Sequence, residues 1–375
     1  MNKTNLMYKE PFPIPPGETV KEYVEFFSMT MEDFAQRLGC TKQTLARIYR
    51  GEQPITEETA VKLELVTGVE ANFWANLEAQ YQFALISQKR KAQAEQNFKW
   101  ISQFPIVELQ KRNFFPKNFK KLDADEREKI FLKFFQIGSI EAFKERINNP
   151  SFAARTTYGL DNNIFALETW IQIGVVLAKN QIYKSSLNVF NREKLIIALD
   201  LIRKQSSELN TKEKTTKQFL LDIRAILAEA GVHIIYLEKL NGINKLNGVV
   251  RWLDKHPIII LSLTGKKIDK ILFSLFHEAG HILLDNKRLH YVSCGEKTKN
   301  EINADNFAAK RLLPFEYNNE LCGKKINKEK IKQIATKEGI YEGIVVGRQC
   351  YLNKNWKCSY LQKSISWNEI NHWYF

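Results

Sequence analysis

Two histidines four positions apart, with a glutamate directly after the first, sit inside a strongly apolar stretch: Leu275-Phe276-His277-Glu278-Ala279-Gly280-His281-Ile282-Leu283-Leu284. That spacing puts His277 and His281 on one face of a helix, one turn apart. Ile271, Leu272, Leu275, Phe276, Ile282 and Leu283 bury the rest of the helix. Two imidazoles so placed can share one Zn²⁺, with Glu278 reaching a water on the metal. An ordinary amphipathic helix meets these three positions by chance in on the order of one chain in a hundred of this length.

A second segment completes a ligand set. Glu301-Ile302-Asn303-Ala304-Asp305-Asn306-Phe307-Ala308-Ala309 reads as another helix, ending near Pro314, with Glu301 and Asp305 on one face. Glu301 is the expected third zinc ligand, and Asp305 the group that holds a ligating histidine from behind. Upstream, residues 231–236, 248–252 and 257–263 are short, β-branched and apolar, so they read as strands, with Asp254-Lys255-His256 as a turn. His233 and His256 read as strand and turn residues, not ligands. Strands followed by a metal helix make a small α+β core.

On these landmarks, residues 232–349 resemble the ImmA/IrrE family of metallopeptidases. The matching runs are Gly248-Val249-Val250-Arg251-Trp252, Ile258-Ile259-Ile260-Leu261, the motif helix from Asp269 to His281, Glu301 through Ala309, Arg311-Leu312-Leu313-Pro314, and Gly343 through Gln349. The resemblance implies a zincin-like fold and a zinc-dependent protease, often one that acts on a single repressor protein. His277, His281 and Glu301 would hold the ion, and Glu278 would be the general base. Tyr291, His290 and Arg348 are the candidates for stabilising the oxyanion.

The other end of the chain carries a different pattern. Thr30 caps a helix through Leu38, with Asp33 at the capping-box position, and Gly39 makes the turn. Thr41 caps the next helix, which Gly51 ends. Phe34, Ala35, Leu38, Leu45 and Ile48 recur at helical spacing. This is a helix-turn-helix, whose second helix would enter the DNA major groove. Thr41, Lys42, Gln43, Thr44, Arg47 and Arg50 are the expected DNA contacts. Residues 11–82 resemble the HigA-type branch of the phage-repressor-like (XRE) helix-turn-helix family, through Pro16-Gly17-Glu18, Leu38-Gly39, Gln43 to Arg47, Gly51, Pro54-Ile55-Thr56, Ala60 to Leu65 and Phe73 to Tyr81. The resemblance implies DNA binding, commonly as a homodimer on a palindromic operator, by proteins that act as antitoxins and autoregulators.

Charge qualifies that picture. Residues 1–82 hold eight Lys and Arg against twelve Asp and Glu, a net −4, whereas the whole chain is +14. DNA binding must therefore rest on a local patch, and residues 34–51 supply Arg37, Lys42, Arg47 and Arg50 with no acid among them. The remaining excess is mostly scattered lysine, which reads as solvated surface.

At 375 residues the chain calls for two or three domains. The expected division is a helix-turn-helix domain at 1–82, a helical coupling region at 83–215 with helices near 124–136, 140–147, 166–179, 192–208 and 214–230, and a metallopeptidase domain at 216–375. No apolar run is long enough to span a membrane, and the first residues lack a signal core. Five widely spaced cysteines do not read as a disulfide framework. A cytoplasmic location is expected. The function expected is a DNA-binding regulator that cleaves a specific repressor, toxin or antitoxin. The alternative is an antitoxin and autorepressor whose metallopeptidase-like domain only binds a toxin.

Overall fold

The structure is a computed structural model that describes residues 13–148, 163–184, 188–211, 214–244, 246–284, 291–292, 299–323, 327–355 and 362–365. The chain forms two compact units. The first comprises Met1–Ile101 with Lys120–Lys129, and the second Ser102–Phe119 with Ile130–Phe375.

The first unit is helical: α1 (Pro16–Phe26), α2 (Met31–Leu38), α3 (Lys42–Tyr49), α4 (Glu57–Thr67) and α5 (Ala71–Ile101). Its starts are set by threonines. Thr30, Thr41 and Thr56 each accept a hydrogen bond from the amide three residues on, at 3.1, 3.1 and 3.3 Å. Phe34, Leu45, Leu63 and Trp74 are buried where α2, α3, α4 and α5 meet. Gly17 permits a close crossing of α1 over α3, since a Cβ there would stand 2.0 Å from the Ile48 carbonyl oxygen.

The second unit adds α6 (Ile106–Lys111), the end of α7 (Ala124–Phe135), α8 (Ile140–Asn148), α9 (Ile164–Lys184), α10 (Arg192–Gln205) and α11 (Thr216–Glu229). Three strands follow, β1 (His233–Tyr236), β2 (Gly248–Leu253) and β3 (His256–Leu261), then α12 (Ile268–Leu284), β4 (Tyr291–Val292) and α13 (Lys299–Leu312). The short α14 (Asn318–Leu321), α15 (Lys328–Glu338) and α16 (Glu342–Leu352) come last. The sheet order is β1-β3-β2-β4. β1 runs parallel to β3, with His233 opposite Ile258, while β2 is antiparallel to both β3 and β4.

Both sheet faces are covered, which is why β3 is apolar at every position from Pro257 to Leu261. Val250, Ile259 and Leu261 join the core built by α10, α11, α12 and α16. On the opposite face α9 comes so close that a Cβ at Gly174 would meet Ile260 Cδ1 at 2.4 Å. Arg251 on that face is buried with Glu168 of α9, whose carboxyl is pushed up by burial and pulled back by Arg251 and Arg146.

The helices expected from sequence are present. α5 runs on to Ile101, and α9, α10 and α11 belong to the second unit because their apolar faces cover its sheet and its core. Cys40 and Cys322 are free, and Cys350 is buried on α16.

Candidate metal centre and helix-turn-helix surface

The apolar stripe of α12 buries His277, Glu278 and His281 together, Glu278 completely. α13 lies across this helix at Gly280, where a Cβ would stand 3.2 Å from Ala304 Cα. That close approach brings Glu301 to the histidines. Its Oε2 is 3.1 Å from His277 Nε2, its Oε1 is 3.2 Å from His281 Nε2, and the two Nε2 atoms are 3.1 Å apart. Ligands about 2.0 Å from a tetrahedral ion are separated by about 3.3 Å, so these donors are spaced like one face of such a site. No other group of three such residues gathers among the described residues.

Asp305, one turn beyond Glu301, stands 2.8 Å from His277 Nδ1. With the Nδ1 proton donated to that carboxylate, Nε2 keeps its lone pair for a metal. The charges form a cradle that favours a cation. Burial opposes a charged His277, but its hydrogen bonds to Asp305 and Glu301 and the charge of Glu278 outweigh it and hold the imidazole up at about 10. His281 is raised in the same way, with burial opposed by Glu301 and Glu278. Burial would raise Glu301, yet its bonds to both histidines hold it down at about 2. The donor set of two imidazoles and a carboxylate, with a further carboxylate behind one imidazole, fits zinc.

Glu278 is held beside the ligands from the sheet side. A Cβ at Gly248, the first residue of β2, would stand 2.6 Å from Glu278 Oε1 and 2.8 Å from its Cγ. Periodicity does not reveal this contact between Gly248 and Glu278; in the sequence Gly248 stands out only as the first residue of a run that carries the family resemblance.

Of the oxyanion candidates, Arg348 is otherwise engaged. Its guanidinium donates to the carbonyls of Ala309 and, at 3.2 Å, Leu313, and lies over the Phe315 ring, so it clamps the end of α13. His290 and the side chain of Tyr291 lie outside the described residues. His233 and His256 meet edge to face with ring centroids 5.8 Å apart, and burial, with the charges of His256 and Arg224, holds His233 down at about 4.

In the first unit, the six expected DNA contacts cluster on α3 and its ends. Thr41 is used as the cap, and its hydroxyl also meets that of Thr44 at 2.9 Å. The basic patch is partly neutralised by acids just outside it: Arg37 pairs with Asp33 at 3.0 Å, Lys42 with Glu32, and Arg50 with Glu52 at 2.8 Å. Gln43 and Arg47, four apart on the exposed face of α3, make no side-chain hydrogen bond among the described residues, and Arg47 is only loosely attracted by Glu52.

Residues 20–74 match the family model described as helix-turn-helix. The first unit contains a helix-turn-helix domain. Over 69 residues, 18% of this chain and 73% of the relative, it is 28% identical to YddM, an uncharacterised helix-turn-helix-type transcriptional regulator of Escherichia coli strain K12. Solved structures similar to the domain include a candidate antidote protein of a plasmid maintenance system from Nostoc punctiforme. That structure is 27% identical, with a TM-score of 0.23, covering 24% of this chain and 97% of its own. Another is an addiction module antidote protein of the HigA family from Coxiella burnetii, 29% identical, with a TM-score of 0.22, covering 23% of this chain and 95% of its own.

Proposed function

We propose that the protein is a DNA-binding transcriptional regulator whose second unit is a zinc-dependent endopeptidase. The observation that carries the enzymatic half is the gathering of His277, His281 and Glu301 within 4.8 Å of one another beside the fully buried Glu278. The first three would hold Zn²⁺. Bound there, zinc would supply a water of lowered pKa and polarise a scissile carbonyl. Glu278 accepts the proton of the attacking water at its carboxylate and delivers it to the leaving amine. Asp305 fixes the His277 ring, and Gly248 leaves Glu278 the room to point at the ligands.

The DNA-binding half is supported by the match of residues 20–74 and by the uncommitted pair Gln43 and Arg47. Such a pair suits reading an adenine and a guanine in the major groove. The acidic partners of Lys42, Arg37 and Arg50 hold them only through exposed ion pairs, which cost little to exchange for phosphates. The substrate in this reading is a regulatory protein of the same control circuit, such as a repressor, toxin or antitoxin. A chain that only docked a toxin would leave the buried Glu278 without a role.

Zinc content per chain tests the reading, in wild type against the paired His277→Ala, His281→Ala variant. About one zinc in wild type and almost none in the variant is the expected result. Protein that stays free of zinc after reconstitution overturns the enzymatic half.

A further inference from the structure

A cavity of about 860 Å³ lies inside the second unit, between the ends of α6 and α7, the middle of α9 and the residues that follow β1. Its apolar lining is built by Phe114, Phe134, Ile173, Val176 and Leu177. Its walls are tied to one another. Gln172 donates to the Phe134 carbonyl at 2.6 Å, and the Trp170 indole N–H is shared between the carbonyls of Leu237 and Glu238 at 3.2 and 3.1 Å. Arg112 donates to the Glu238 carbonyl at 3.3 Å. Walls fixed this way make a pre-formed pocket, and its volume lies toward the upper end of the roughly 300–1,000 Å³ typical of small-molecule sites.

The polar groups at its mouth decide what it takes. Lys111 pairs with Glu108 at 3.0 Å, and Arg112, 3.9 Å from the same carboxylate, is anchored on the Glu238 carbonyl, so this side of the lining keeps a net positive charge. One ammonium, Lys133, and one carboxylate, Glu238, have no side-chain partner among the described residues. The side-chain amides of Asn113 and Asn180 are also uncommitted among those residues, and each offers both a donor and an acceptor. One free charge of each sign matches a zwitterion. Two amides match the N–H and C=O of a peptide group, and the apolar lining matches apolar side chains. The volume exceeds what a single amino acid fills.

We propose that this cavity binds a short apolar peptide with free termini, its carboxylate toward Lys133 and its ammonium toward Glu238. The site is separate from the metal centre and does not depend on the protease reading.

Isothermal titration of the full chain with the dipeptide leucyl-phenylalanine, and with its N-acetylated, C-amidated form, tests it. Expected are saturable one-to-one binding of the free dipeptide and binding weaker by about ten-fold or more for the blocked form. Lys133→Glu and Glu238→Lys, both at the mouth, should each weaken the free dipeptide by a similar factor, and Val176→Trp should abolish binding by filling the cavity. Three results overturn the proposal: no saturable binding, equal affinity for free and blocked forms, or mouth variants that bind like wild type. Binding that survives both mouth variants but is lost on adding 1,10-phenanthroline also overturns it, because the dipeptide then sits at the metal centre.

Discussion

Gly248 bears on the proposed general base although it carries no chemistry of its own. Glu278 is fully buried, so its carboxylate cannot swing aside when a methyl group arrives 2.6 Å from Oε1. Gly248→Ala should therefore keep zinc and lower peptide hydrolysis by about a hundred-fold or more, the usual scale of a lost general base. Metal analysis alongside cleavage of a proteome-derived peptide library separates the two effects. Glu278→Gln should give the same split, zinc retained and turnover lost. A Glu278→Gln variant that cleaves as fast as wild type removes this residue from the mechanism. His277, His281, Glu301 and Asp305 were legible because helical spacing alone puts each pair on one face. Gly248 was not, because its partner reaches it only through the docking of α12 on the sheet. The sequence could not choose among the oxyanion candidates, and only the fold shows that the carbonyls at the end of α13 occupy Arg348.

At the scale of elements, α3 and α12 make different demands. On α3, Arg47→Ala should cost about 1–3 kcal/mol of operator binding and relax sequence preference, as a base-reading arginine does. Lys42→Ala should weaken binding to all sequences alike and flatten the salt dependence. Fluorescence anisotropy on DNA from upstream of the protein's own gene, at several salt concentrations, distinguishes them; equal losses on all sequences for Arg47→Ala would remove its reading role. The start of α12 holds a buried acid. Burial pushes Asp269 up to about 6, while Gln362 donates to its Oδ2 at 2.6 Å. The folded state thus binds this proton more tightly than the unfolded chain. Its contribution to stability is complete below about pH 4 and is lost as pH rises through about 6. Asp269→Asn, which keeps an acceptor for Gln362, should match wild type near pH 4 and exceed it at pH 8 by up to about 3 kcal/mol in urea unfolding. A constant difference across that range would contradict the assignment. The helices and three strands were legible from period and caps. The sheet order was not, because nothing local tells β3 to insert between β1 and β2 and to run parallel to the first.

At the scale of the whole molecule, the buried apolar residues gather in distinct clusters. One surrounds Phe34, Leu45 and Trp74, another runs from Leu195 to Ile365, and Phe104, Phe131, Phe135 and Phe143 pack ring against ring outside both. In the sequence, α10 and α11 read as plain amphipathic helices. Only their packing partners, α12 and the sheet, reveal which core claims them. Thermal unfolding should accordingly show two transitions, with added zinc raising one and leaving the helix-turn-helix transition in place. A single transition that moves as a whole with zinc would contradict independent cores. The centre itself takes its histidines from α12 and its carboxylate from α13, so an ion seated there would cross-link two helices. Such a cross-link strengthens with the logarithm of free metal above its dissociation constant. Survival of the second unit then becomes a gauge of supply. In a cell starved of zinc, proteolysis would then remove the second unit first and leave the helix-turn-helix domain.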